Sequence, residues 1–404
     1  MESAGTGAVT ASHRQAVAGG AGTARSPQLG IAGQVCRGVL GAGMLVMPPV
    51  VAALADGHSL LVWTAHLLFG GSVSLLLAEL VRTRVRPMSL AAAVGALLGT
   101  WAERTVDGAF AVAFTAGQAA IAWFTATCLL AAADGTPPRP GAGGLLLALG
   151  ILVVAVSAAL SPLTFPAAVL RVRPWAAGAV ALASALWGRP GVAVDGAHSA
   201  LAPPGLSPHG AQWLALAALF FAGVGWEVVT GVVPATAAGA RRTAMGVGLG
   251  AAGVAAVSLG LAAAQRLAPG APTAADLPPA PLRWVLAGAT AVVLTSYCVT
   301  NVRTAARITS RLHPGGRRVA ERGPARPLVA AVGAACCAFA WAGARDGAVP
   351  LLLLGPAGAA VIGYALGAAA AVRRGGWLLR CAGAVVLLVL AGVTTCTAWS
   401  LAGA

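Results

Sequence analysis

The sequence predicts an all-α integral membrane protein with about eleven transmembrane helices. Three observations predict it. The 404-residue chain is 58% hydrophobic and 9% charged, with a mean hydropathy of +0.84, against roughly 25% charged residues in an ordinary soluble domain. Its apolar residues run in stretches long enough to cross hydrocarbon, which takes roughly 20 residues as a helix. Its arginines fall between these stretches, and mainly between alternate ones. So little charge cannot cover a water-facing surface, so most of the outside must meet lipid.

The spans are expected, in order, at about 31–55, 59–81, 106–133, 143–161, 166–188, 211–233, 244–264, 282–301, 327–343, 348–371 and 377–401. The fifth is the least apolar, because Arg171 and Arg173 leave a short clean run after them. The stretch 85–101 lies between charges and is too short to cross, so it reads as an interfacial or re-entrant helix. Residues 1–28 are rich in Gly, Ala, Ser and Thr and lack an apolar core. They read as a disordered cytoplasmic tail rather than a signal peptide. Repeat one is expected at about 30–190, repeat two at about 210–372, and an extra helix at 377–401.

Placing the N-terminus inside puts twenty arginines in inner loops and five in outer ones. That is a strong positive-inside bias, and with an odd span count it places the C-terminus outside, in a cytoplasmic membrane. The net charge of +15 does not indicate nucleic acid, because aromatic residues are 5% of the chain and do not interleave with the arginines. All 26 basic residues are Arg, which fits a compositional bias. The seven cysteines form no CxxC pair and no metal spacing, so they read as inert thiols, and neither metal nor cofactor is expected.

Two spans carry glycine pairs where a helix should be continuous. The first reads Gly38-Val39-Leu40-Gly41-Ala42-Gly43-Met44, and the sixth reads Phe220-Phe221-Ala222-Gly223-Val224-Gly225-Trp226-Glu227. Gly-X-Gly lets the backbone leave α geometry. The pairs lie near mid-span and about half a chain apart, the pattern of two structural repeats that each open with an interrupted helix. The bland alternative is close helix packing through small residues. A broken helix offers free N–H groups at one cut end and free carbonyls at the other. Two such helices face to face suit a zwitterion, whose carboxylate and ammonium sit on one carbon.

Glu227 is the most informative single residue. A carboxylate at mid-membrane costs at least about 2.5–3.5 kcal/mol and usually marks a transport pathway. It reads as a coupling or gating group, or as a structural carboxylate tied to opened backbone. Arg37 reads as a gate residue at the cytoplasmic mouth or as a snorkelling side chain. Glu79 and Arg82 are spaced as an interfacial ion pair. Gln118, Thr295, Ser296, Tyr297 and Asn301 are candidates to line a cavity, although Ser and Thr in such helices often bond their own backbone. His66 reads as a packing residue.

The segment Gly41 to Pro48, with Leu75-Leu76-Leu77-Ala78-Glu79-Leu80 after it, resembles the opening of permeases of the amino acid–polyamine–organocation (APC) superfamily. Phe220 to Glu227 resembles their sixth helix. The Trp226-Glu227 form is most similar to the branch of methionine and branched-chain amino acid exporters, and Asn301 to Arg311 resembles the family's Arg-rich cytoplasmic turn. The resemblance implies an inverted five-plus-five repeat of the LeuT-like kind, with discontinuous helices 1 and 6. It also implies a secondary transporter of neutral, apolar amino acids, exchanging protons and leaning towards efflux. The carboxylate would lie at Gly41, Ala42 and Gly43, and the ammonium at carbonyls near Leu40, Phe221 and Ala222. Met44, Gly223, Val224 and Gly225 would shape the pocket, and Glu227 would couple. The lysine that some proton-coupled relatives place on helix 5 is absent, since the chain has no Lys. Transport of a polyamine or another organic cation, and a non-transporting scaffold or sensor, are the other readings. A membrane-embedded enzyme would need a His, Asp or Cys cluster that the sequence does not show.

Overall fold

A computed structural model describes residues 27–84, 89–134, 141–162, 165–187, 205–233, 239–267, 279–313, 325–345 and 349–403. Span one is two helices, α1 (Pro27–Val39) and α2 (Gly43–Ala55). Span two is α3 (Ser59–Arg84), and a short helix α4 (Leu90–Leu98) follows. Spans three, four and five are α5 (Thr100–Asp134), α6 (Ala142–Leu160) and α7 (Ala167–Trp187). Span six is α8 (Pro208–Leu219), a break, a 3-10 turn (Trp226–Val228) and α9 (Val229–Val232). Spans seven to eleven are α10 (Ala240–Leu267), α11 (Ala280–Arg311), α12 (Arg326–Arg345), α13 (Val349–Arg374) and α14 (Trp377–Ala402). Nine helices among the described residues are long and apolar enough to cross a membrane, one of them joining α2 to span two. Separating that pair and adding the interrupted sixth span makes eleven.

The packing repeats when every span number is raised by five. Span one meets span seven, and span six meets span two. Span three meets spans four, nine and ten, while span eight meets spans nine, four and five. Spans one and six, two and seven, three and eight, and four and nine pair with each other. This is the contact pattern of two equivalent five-helix sets. Span three is the most enclosed, with 72% of its apolar window buried, whereas spans five and eleven face outward with 22% and 28%. Most exposed tryptophans gather at the two ends of the bundle. Trp101 and Trp377 lie at the starts of spans three and eleven, and Trp213, Trp284, Trp341 and Trp399 lie at the other end, while Trp175 sits near the middle of span five. An indole prefers the membrane–water interface, where its ring is shielded and its N–H is wet.

Three expectations change. Span eight runs to Arg311, ten residues past the expected end, so Asn301 to Arg311 is helix and not a turn. Hydropathy falls at the arginines, but Val302, Ala305, Ala306 and Ser310 keep a buried face there. Arg311 comes within 4.0 Å of the buried Asp107 carboxylate on span three. The tail expected at 1–28 loses Pro27 and Gln28 to α1, and its remainder lies outside the described residues. The helix expected within 85–101 is only α4, capped by Ser89 and packed on spans three and ten.

Arg303 ties span eight to the end of span four. Its Nε donates to Ala159 O at 2.9 Å, and its Nη2 donates to Ala158 O and Ser161 O at 2.9 Å each. A cation here satisfies carbonyls that a helix end leaves open and meets the negative end of its dipole. Arg303→Ala is expected to cost about 2–3 kcal/mol, since bonds to a charged donor are worth more than neutral ones. Thermal unfolding in detergent checks this, and an unchanged transition would refute it.

Candidate functional site

In span one the N–H of Leu40 closes on Cys36 O, and the next N–H bonded to the segment's own backbone is that of Met44, to Gly41 O. The N–H groups of Gly41, Ala42 and Gly43 lie between, and the carbonyls at the end of α1 are left open. In span six the last turn of α8 tightens, with Phe220 N–H to Ala217 O and Phe221 N–H to Ala218 O. The chain then unwinds to Gly225, whose φ of 134° is one that an L side chain rarely adopts.

The two breaks cross each other in antiparallel register. A Cβ on Gly43 would lie 2.7 Å from the Ala222 Cβ. At the other side of the crossing, a Cβ on Gly225 would strike the Gly38 carbonyl, and one on Gly38 would lie 3.1 Å from Gly225 O. The glycines are therefore needed for backbone to touch backbone, which side chains would prevent.

Beside the crossing lies a cavity of about 310 Å³, the size at which small-molecule sites begin. Gly41, Ala42, Gly43, Phe221, Ala222, Val224, Gly225 and Glu227 line it. Span three adds Phe114, Gly117, Gln118 and Ile121, and span eight adds Tyr297 and Asn301. Leu40, Met44 and Gly223, expected at the same site, do not line it, and neither does Arg37, expected as a gate at the cytoplasmic mouth or a snorkelling side chain. Leu40 and Met44 border a smaller cavity of about 20 Å³ on the far side, with Trp63, His66 and Trp226. Gly223 faces the His66 ring, which packs edge-on to Phe220. Arg37 is exposed and turns back to donate to Gly33 O at 3.0 Å, because one turn away its own helix offers a carbonyl.

Glu227 Oε2 accepts from Gly225 N–H at 2.9 Å and stands 2.8 Å from the Tyr364 hydroxyl. The same hydroxyl lies 2.5 Å from Gly223 O. A phenol has one proton. It donates either to the carbonyl or to the carboxylate, and in the first case the short contact to Glu227 needs a proton on Glu227. Carboxylate, phenol and opened backbone thus form one unit with two ways of placing its hydrogens.

Tyr364 was not among the residues that the sequence singled out. The chain has only two tyrosines, and both, Tyr297 and Tyr364, stand at the breaks, so their rarity was the available signal. Asn301 Nδ2 lies 3.4 Å from Gln118 Oε1, a loose pair across the cavity. Ser296 Oγ bonds its own backbone at Val293 O, 2.6 Å away. Glu79 and Arg82 form the expected ion pair, with Arg82 Nε to Glu79 Oε2 at 2.7 Å. Of the two arginines on span five, Arg171 is exposed, while Arg173 reaches span eight.

No family model matches the chain, and no curated protein matches it in sequence. Among solved structures it is similar to MhsT, in a crystal structure with L-phenylalanine. The TM-score is 0.54 and the identity 13%, over 91% of this chain and 98% of that one. A likeness at this identity shows the fold. It is the all-α, LeuT-like membrane fold, with an inverted five-plus-five repeat and discontinuous spans one and six.

Proposed function

We propose that the chain is a secondary transporter of neutral, apolar amino acids that works by alternating access. One observation carries the reading: two interrupted spans cross at their breaks and leave a cavity of about 310 Å³ walled partly by bare backbone. The N–H end at Gly41, Ala42 and Gly43 holds a carboxylate, and carbonyls at the end of α1 and near Phe221 and Ala222 hold the ammonium. Phe114, Ile121, Phe221 and Val224 leave an apolar remainder for the side chain. The same fold in MhsT holds L-phenylalanine, which supports an amino acid as the ligand class.

Glu227 exchanges the proton, and its pairing with Tyr364 and Gly225 supports that role over counter-charge for a polycation. The resemblance to APC permeases, and to their exporter branch, supports efflux. Repeat one covers about 30–190 and repeat two about 210–372, with the N-terminus cytoplasmic, the C-terminus outside, and span eleven beyond the repeats in the inner membrane. The test is uptake of radiolabelled amino acids by proteoliposomes, with and without a pH gradient. Leucine, methionine and phenylalanine are expected to show saturable, gradient-dependent flux, and putrescine none. Flux of putrescine alone would overturn the substrate class, and no flux of any solute would overturn transport.

A further inference from the structure

Three groups that each keep an unpartnered donor lie together at one end of the cavity, two of them lining it and one behind. The first is the N–H end of α2 at Gly41 to Gly43. The second is Tyr297, which is 7% exposed and whose buried hydroxyl, beside Arg173, has no acceptor for its own proton. Its ring stands against the break, with the hydroxyl 3.8 Å from where a Cβ on Gly41 would sit. The third is Arg173. Its guanidinium lies over the Tyr297 ring, 3.8 Å from the centroid. Its Nη1 donates to Ser296 O at 3.1 Å and Thr300 Oγ1 at 3.0 Å, and its Nε is buried without a partner. Neither ion pair of the described residues involves Arg173.

A charge within the membrane normally faces a countercharge or a polar cavity, and a buried hydroxyl normally finds an acceptor. Here a cation, a phenol and a cut helix end all lack an anion in the same place. A guanidinium over a ring face also draws electron density from the phenol, which makes its O–H a stronger donor.

We propose that the Tyr297 hydroxyl is a direct carboxylate ligand, and that Arg173 is a positioning residue that holds the ring in place and supplies positive potential behind it. The site therefore selects a free α-carboxylate. This deepens the amino-acid reading and rests on it. The amides across the cavity are turned to other partners, Gln118 Nε2 to Phe114 O and Asn301 Nδ2 to Gln118 Oε1.

The test compares L-leucine with L-leucinamide, which keeps the ammonium and side chain but loses the anion, by isothermal titration of purified full-length protein in detergent. Wild type is expected to prefer leucine. Tyr297→Phe keeps the ring over which Arg173 stacks and removes one bond to a charged group. It is expected to weaken leucine about 10- to 100-fold while leaving leucinamide within about twofold. Arg173→Gln is expected to reduce the same preference, and Arg173→Lys to restore part of it, which a purely structural arginine would not do. Preference unchanged in Tyr297→Phe, with leucine binding intact, overturns the inference and leaves the amino-acid reading standing. Binding of neither probe by wild type overturns both.

Discussion

Replacing Gly225 by alanine is expected to abolish transport. Its φ of 134° is held at a cost of order 1–3 kcal/mol by any residue with a Cβ. The larger effect is spatial. The added methyl would strike the carbonyl of Gly38 and sit 3.1 Å from the Cα of Val39. Those atoms belong to backbone, which cannot rotate away as a side chain can. Spans one and six would have to part, and the two cut ends would no longer face one cavity. Uptake in proteoliposomes is expected to fall to the level of empty vesicles, with a lower thermal transition in detergent. Gly231→Ala is the control. Gly231 lies six residues on, in α9, with open space where its Cβ would be, and alanine is the better helix former. Normal uptake by Gly225→Ala, or equal damage from Gly231→Ala, would dispose of the crossing as the functional element.

Glu227→Gln is expected to remove pH-driven transport while folding is kept. The amide is the same shape, and its oxygen still accepts from Gly225 N–H. What it loses is the second arrangement of hydrogens. The Tyr364 hydroxyl lies between Gly223 O and Glu227 Oε2, and a carboxyl group can answer that single proton in either of two states. A glutamine oxygen only accepts and can bind no extra proton at working pH. Exchange of labelled for unlabelled amino acid should persist at one pH, whereas acceleration by a pH gradient should vanish. Tyr364→Phe should give a milder form of the same defect, because the carboxyl still titrates but its partner is gone. Equal gradient stimulation in wild type and Glu227→Gln would take Glu227 out of the coupling.

Much of this was legible in order along the chain. Eleven apolar stretches, few charges and arginines on alternate sides already specify a helical membrane bundle. Lipid leaves the backbone no other way to bond itself. The two interrupted spans were legible as well, because Gly41-Ala42-Gly43 and Gly223-Val224-Gly225 remove side chains at mid-span. Glu227 stood out because a carboxylate there is expensive. The end of span eight was not legible. Its arginines look like a loop until Arg303 is seen on the carbonyls of span four and Arg311 near Asp107.

What composition and local pattern determined is which segments enter the membrane and where two of them must break, since both follow from the solvent and from the chain's own backbone. Only the tertiary structure decided that Gly225 meets Gly38 and that Tyr364 shares its proton with Glu227. It also decided that Arg173 stacks on Tyr297 beside Gly41, and that Met44 and Arg37 turn away from the cavity. Those contacts join residues on different helices, more than a hundred positions apart in the three pairs. Their distances depend on how helices cross, which no local spacing encodes.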